Sequence, residues 1–102
     1  MPIMEVNIIP LGSKSPSVSK YIKNALKVLE EEGHIKYQLT AMGTIVEADS
    51  IDLLLDLAKK MHQVVLKEGV DRVVTTVKID ERKDKKSTIE GKIKSVISQK
   101  RG

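Results

Sequence analysis

The chain has 102 residues, 40% of them hydrophobic and 31% charged, and contains no cysteine, tryptophan or phenylalanine. That length supports one domain with a modest core, and the lack of cysteine excludes disulfides, thiolate metal sites, iron–sulfur ligation and cysteine nucleophiles. The net charge of +4 is unevenly placed: residues 83–102 carry seven Lys/Arg against Asp84 and Glu90, whereas residues 1–82 sum to −1, so the basicity belongs to a tail.

Met4, Val6 and Ile8 alternate with Glu5, Asn7 and Ile9, the period of a strand with one face in a core, and Pro10 and Gly12 stop it. Ser15 before Pro16 reads as a helix N-cap with proline at the first helical position. The helix that follows carries Val18, Tyr21, Ile22, Ala25, Leu26 and Leu29 on one stripe, with Gly33 in the C-cap role.

Tyr37 to Glu47 forms two short alternating strands pinched at Met42-Gly43. With a two-residue turn, Leu39 faces Val46 and Gln38 faces Glu47; a longer turn changes this register. A second helix begins at Asp49 or Ser50, with Ile51, Leu54, Leu55, Ala58, Met61, His62 and Val65 on its core side, broadened by Leu53, Leu57 and Val64, and Gly69 ends it. Arg72 to Arg82 sorts Val73, Thr75, Val77 and Ile79 from Val74, Thr76, Lys78 and Asp80 and forms the last strand. Ser87-Thr88-Ile89-Glu90 reads as a capping box opening a short helix, with Ile89, Ile93, Val96 and Ile97 on one side.

The order strand, helix, strand, strand, helix, strand predicts an α+β, ferredoxin-like βαββαβ sandwich. It has a four-stranded antiparallel sheet, two helices on one face and a short C-terminal helix. We expect a single domain over residues 1–102, with a body at 1–82 and a basic connector and helix at 83–102. The uncovered sheet face would show Glu5, Asn7, Ile9, Gln38, Thr40, Ile45, Glu47, Thr76, Lys78 and Asp80, a mixture that reads as an assembly face with a pocket in it.

Chemistry-bearing motifs are sparse. His34 and His62 have no second ligand at metal-binding spacing, and no nucleophile, zinc motif or phosphate-cradling glycine loop appears. Glu5 and Glu47 lack the partners of a general acid and base pair, so no enzyme activity, metal or cofactor is expected. Tyr21 and Tyr37 are the only aromatics and neither falls on the open face, which argues against base stacking. The tail alone supports at most salt-sensitive nucleic-acid binding. No run approaches the length of a membrane span, and the N-terminus lacks a basic segment followed by an apolar one, so a cytoplasmic protein is expected.

The segments Ile9-Pro10-Leu11-Gly12, Ser15-Pro16-Ser17-Val18-Ser19, Tyr37 to Glu47, Lys78-Ile79-Asp80-Glu81-Arg82 with Asp84, and Glu90-Gly91-Lys92-Ile93-Lys94-Ser95-Val96 resemble the thiamine-binding-protein family in matching order. The resemblance implies a βαββαβ domain that assembles into dimers and tetramers. It also implies non-catalytic binding of thiamine or its hydroxymethylpyrimidine half. Thr40, Met42, Gly43, Thr44 and Glu47 match the pocket-side motif, and Ser13 to Ser19 lie nearby. Asn7, Thr40 and Glu47 could pair the ring nitrogens and exocyclic amine, while Met42, Ile9 and Ile45 cover the ring faces. The alternative is a structural or regulatory oligomerisation module with no small-molecule pocket.

Overall fold

The computed structural model describes residues 1–12 and 18–101, the side chains of residues 99–101 excepted. The expected Ser15 cap and Pro16 helix start lie outside the described residues. In chain order the elements are β1 (Ile3–Leu11), α1 (Ser19–Glu31), β2 (Lys36–Leu39), β3 (Thr44–Glu47), α2 (Ile51–Leu66), β4 (Arg72–Asp80) and α3 (Ile89–Arg101). The sheet runs β2-β3-β1-β4, every neighbouring pair antiparallel. This is the ferredoxin-like arrangement with the two long outer connections made by helices.

The period of two along β1 decides which side is dry. Met4, Val6 and Ile8 are buried against Tyr21, Ala25 and Leu29 of α1 and Leu54, Leu57, Ala58, Met61 and Val65 of α2. The α2 stripe is narrower than expected on one side: Ile51 and Leu55 are exposed, whereas Leu57 on the broadened side is buried. Its N-terminus is capped by Ser50, whose hydroxyl accepts from the Leu53 N–H at 3.1 Å, and Asp52 sits in the first turn, where negative charge suits the helix dipole. Gly69, at φ +84°, turns the chain after α2. Gly33 makes no such turn, since α1 ends when Glu32 goes extended and donates its N–H back to Leu29.

The hairpin register differs from the two-residue turn. Leu39 pairs with Thr44, Tyr37 with Val46 and Lys36 with Glu47, leaving residues 40–43 as a four-residue loop. Thr40 accounts for this. Its hydroxyl accepts from the N–H groups of Met42 (3.2 Å) and Gly43 (3.1 Å), and its own N–H donates to the Gly43 carbonyl at 2.8 Å. A Met42-Gly43 turn of type I′ would need positive φ at both residues, and among the described residues only Gly12 and Gly69 have it. The slip is by two residues, so each side chain keeps its face.

The face opposite α1 and α2 is not wholly open. Ile3, Glu47, Ser87 and Ile89 are all buried where the first turn of α3 meets that end of the sheet. Farther along, Ile9, Leu11 and Val74 on the same face are exposed, as are Ile93, Val96 and Ile97 on α3.

Candidate functional site

The hollow with the strongest apolar character lies on the helix-covered side, between the end of β1, the first half of α1 and the hairpin loop. Its volume is about 240 Å³. Val6, Ile8 and Pro10 form the sheet wall, Ile22, Ala25 and Leu26 the helix wall, and Met61 the far end. The space exists because α1 presents the small Ala25 to the sheet, and because Thr40 folds the loop of residues 40–43 over the mouth.

Of the six residues selected from the sequence, Asn7, Thr40, Met42, Gly43 and Thr44 line this cavity. They contribute in different ways. Thr44 is only 5% exposed and its hydroxyl has no hydrogen-bond partner. No fully buried side-chain oxygen among the described residues lacks a partner, so this hydroxyl must reach the hollow. The Thr40 hydroxyl is already committed to the loop. Met42 is 81% exposed and stands at the rim. Strand alternation sends the Asn7 side chain to the other face of the sheet. A Cβ added at Gly43 would come within 3.2 Å of the Val6 carbonyl oxygen and 3.8 Å of Asn7 Cβ, so both residues offer the cavity mainly backbone.

Glu47 is placed elsewhere. It is 2% exposed, on the opposite face of the sheet, and its Oε1 accepts from the Ile89 N–H at 2.8 Å. The carboxylate therefore serves the first turn of α3, where three to four N–H groups need acceptors, and negative charge also suits that end of the helix. The expected capping box is correspondingly altered. Thr88, not Ser87, caps the helix by accepting from the Gly91 N–H at 2.9 Å, and Glu90 turns outward to Lys36 at 3.3 Å. The sequence shows a carboxylate on a strand but gives no sign that a helix 42 residues later will claim it.

Other candidates resolve into structural contacts. His62 Nδ1 lies 2.6 Å from the Thr75 hydroxyl, joining α2 to β4. Asn24 donates to Glu68, joining α1 to the end of α2. Glu5 meets Lys78 at 3.8 Å across the strands. Among the described residues no cluster of three or more His, Cys, Asp or Glu could hold a metal, and no helix is long and apolar enough to cross a membrane.

What the cavity can do follows from its lining. An apolar space of roughly 150 Å³ accepts benzene, so about 240 Å³ suits one substituted six-membered ring better than two linked rings. Among the described residues a single free hydroxyl and nearby backbone groups would orient it, the usual division between apolar walls and a few polar anchors. No carboxylate lines it, which favours a neutral ring over a cation.

Residues 4–97 match the family model described as "Thiamine-binding protein". The chain is 46% identical over 99 residues to the UPF0045 protein YqgV of Bacillus subtilis, covering 94% of each. It is 50% identical over 94 residues to the UPF0045 protein MJ1052 of Methanocaldococcus jannaschii, covering 92% of this chain and 90% of that one. The crystal structure of MJ1052, a hypothetical protein, superposes with a TM-score of 0.84 over 93% of this chain and 94% of that chain, at 49% identity. TM0486 of Thermotoga maritima, provisionally assigned to thiamine biosynthesis or salvage, shares the fold at a TM-score of 0.76 and 21% identity, over 93% and 97% of the two chains.

Proposed function

The chain belongs to the thiamine-binding protein family, and on that premise we propose that it binds hydroxymethylpyrimidine, free or as the pyrimidine end of thiamine, without catalysis. The ring enters the cavity between α1 and the hairpin loop. Thr44 supplies the hydroxyl that pairs a ring nitrogen or the exocyclic amine, and Met42 closes over the ring at the rim. The Asn7 backbone completes the polar edge, since the Gly43 N–H and carbonyl are taken up by Thr40. The observation that carries this reading is the unpartnered, nearly buried Thr44 hydroxyl in an otherwise apolar hollow of one-ring size.

Thiamine's thiazolium is a permanent cation. With no acid in the cavity it would project past Met42 into solvent. Calorimetry of the full chain with hydroxymethylpyrimidine and thiamine tests the assignment, and Thr44→Val is the informative variant because it keeps the shape and removes the hydroxyl. We expect saturable heat from the wild type and a loss of up to about tenfold in affinity for the variant, the worth of one neutral hydrogen bond. Equal affinity of wild type and variant for the pyrimidine would overturn it.

A cytoplasmic homo-oligomer is part of the same proposal. Ile93, Val96 and Ile97 on α3, with Ile9, Leu11 and Val74 on the adjacent sheet face, leave apolar side chains in water that a second copy of the chain would cover. Sedimentation should show an assembly larger than the monomer that Ile93→Glu with Val96→Glu dissociates; a wild-type monomer would rule this out.

A further inference from the structure

A second hollow lies at the other end of the molecule, between the connector after β4 and the outer face of α3. Arg82, Lys85, Lys86 and Lys92 surround it, and Ser87, Thr88 and Ser95 supply hydroxyls. Its volume is about 560 Å³.

Three observations separate it from an ordinary basic surface. The charge is in excess: Arg82 is held by Asp84 and Lys92 by Asp80 at 2.6 Å, whereas Lys85 and Lys86 form no ion pair among the described residues. Ser87 is only 6% exposed, yet its hydroxyl makes no hydrogen bond. Because no fully buried side-chain oxygen among the described residues lacks a partner, that small exposed area includes the hydroxyl itself, which faces the hollow that Ser87 lines. A hydroxyl on a nearly buried side chain, with no protein partner and open only to the hollow, is held ready to donate to a group placed there. Finally, Thr88, Gly91, Lys92 and Ser95 recur at three-and-four spacing and make one face of α3. Gly91 leaves that face free of a side chain, since a Cβ there would come within 2.8 Å of the Thr88 hydroxyl.

We propose that this cleft is an anion site for a phosphorylated small molecule, with Lys85 and Lys86 neutralising a phosphoryl or diphosphoryl group and the Ser87 hydroxyl donating to one of its oxygens. Ser95, about two turns along α3 from the Thr88 cap, lines the helix side of the same cleft. The N-terminal amides of α3 are not the main donors, because Glu47 and Thr88 already occupy those of Ile89 and Gly91. Selectivity comes instead from paired ammonium groups and hydroxyls, which match the charge and the several acceptor oxygens of a phosphate. A nucleic-acid backbone carries the same group, but neither tyrosine of the chain lines the cleft, so nothing would hold the bases. The site shares no residue with the cavity beside Thr44 and does not depend on what that cavity binds.

The test is titration of the full chain with inorganic pyrophosphate at fixed ionic strength, followed by calorimetry and by amide shifts. Expected are saturable binding, shifts centred on residues 85–95 and not on 40–44, and a loss of about tenfold or more for Lys85→Gln with Lys86→Gln. Ser87→Ala should weaken binding several-fold with the helix intact by circular dichroism. Lys20→Gln with Lys23→Gln, an equal change of charge on α1, should leave it unchanged. Equal loss in the α1 control would reduce the effect to bulk charge and overturn the proposal. So would the lack of saturation by pyrophosphate, or preference for a short oligoribonucleotide held by the same two lysines.

Discussion

Glu47 and Ile89, 42 residues apart, are joined by a buried 2.8 Å hydrogen bond from the Ile89 N–H to the Glu47 carboxylate. Through it the sheet caps the C-terminal helix, and a residue with the look of a ligand-binding acid becomes the seat of a helix. Glu47→Ala should leave the Ile89 N–H buried without an acceptor, at about 1–3 kcal/mol. For a domain of this size that is a fall in Tm on the order of 4–20 °C. Hydrogen exchange should accelerate across residues 89–97 while pyrimidine affinity stays near wild type. Glu47→Gln, which keeps an acceptor oxygen, should lose less.

Thr40 sets the hairpin loop by accepting two N–H groups and fixing the position of Gly43. Thr40→Val removes that acceptor without changing shape. We expect a loss of about 1 kcal/mol in stability together with weaker pyrimidine binding, because the loop is also the cavity rim. Thr40→Ser, keeping the oxygen, should retain most of both. Chemical denaturation alongside calorimetry separates the two effects.

Gly91 poses a contest between propensity and capping. Replacing a helical glycine by alanine gains up to about 1 kcal/mol, but here the new Cβ would sit 2.8 Å from the Thr88 hydroxyl and displace a cap worth about as much. The Gly91→Ala variant should therefore be close to neutral. In a Thr88→Ala background, with the hydroxyl gone, the same change should stabilise by roughly the full helical gain. The double-mutant cycle reads the coupling directly.

Acid should loosen α3. The hydrogen bond and charge of the Lys92 ammonium hold the Asp80 carboxyl below its ordinary 3.8. Glu90 is likewise held below 4.5, first by its own backbone N–H and then by Lys36. A carboxyl lowered on folding stabilises fully above its unfolded pKa, and the contribution disappears as pH falls through the lower folded value. The attachment should thus be intact above about pH 5 and weaken below about pH 4. Both pairs are solvent-exposed, so the change should be small and should shrink further in molar salt. Exchange rates of α3 amides against pH, at low and high salt, check both the sign and the screening.

Much of the fold was legible because it rests on periodicity. Alternation at Met4, Val6 and Ile8, and three-and-four spacing at Tyr21, Ala25 and Leu29, each point to a face, and both faces meet in one core. The hairpin register was not legible, because it depends on where one hydroxyl, that of Thr40, finds its partners. The α2 stripe was misjudged at Ile51 and Leu55, since a helix with apolar residues around more than half its girth does not declare which arc faces inward. The cavity was the hardest part. Five of the six chosen residues gather beside it, but the walls come from Ile22, Ala25 and Leu26 on the helix side, where the only signal was a small residue in an apolar stripe.

The Glu47 to Ile89 bond also makes the basic tail something other than an appendage. A protease that cuts among the exposed residues 83–86 would do more than shed positive charge, because it would strand an acid inside the sheet's far face. Such nicked protein should melt earlier and collect in clumps. A shortened version ending at Arg82 would be a different molecule, one with a wound where its last helix had rested.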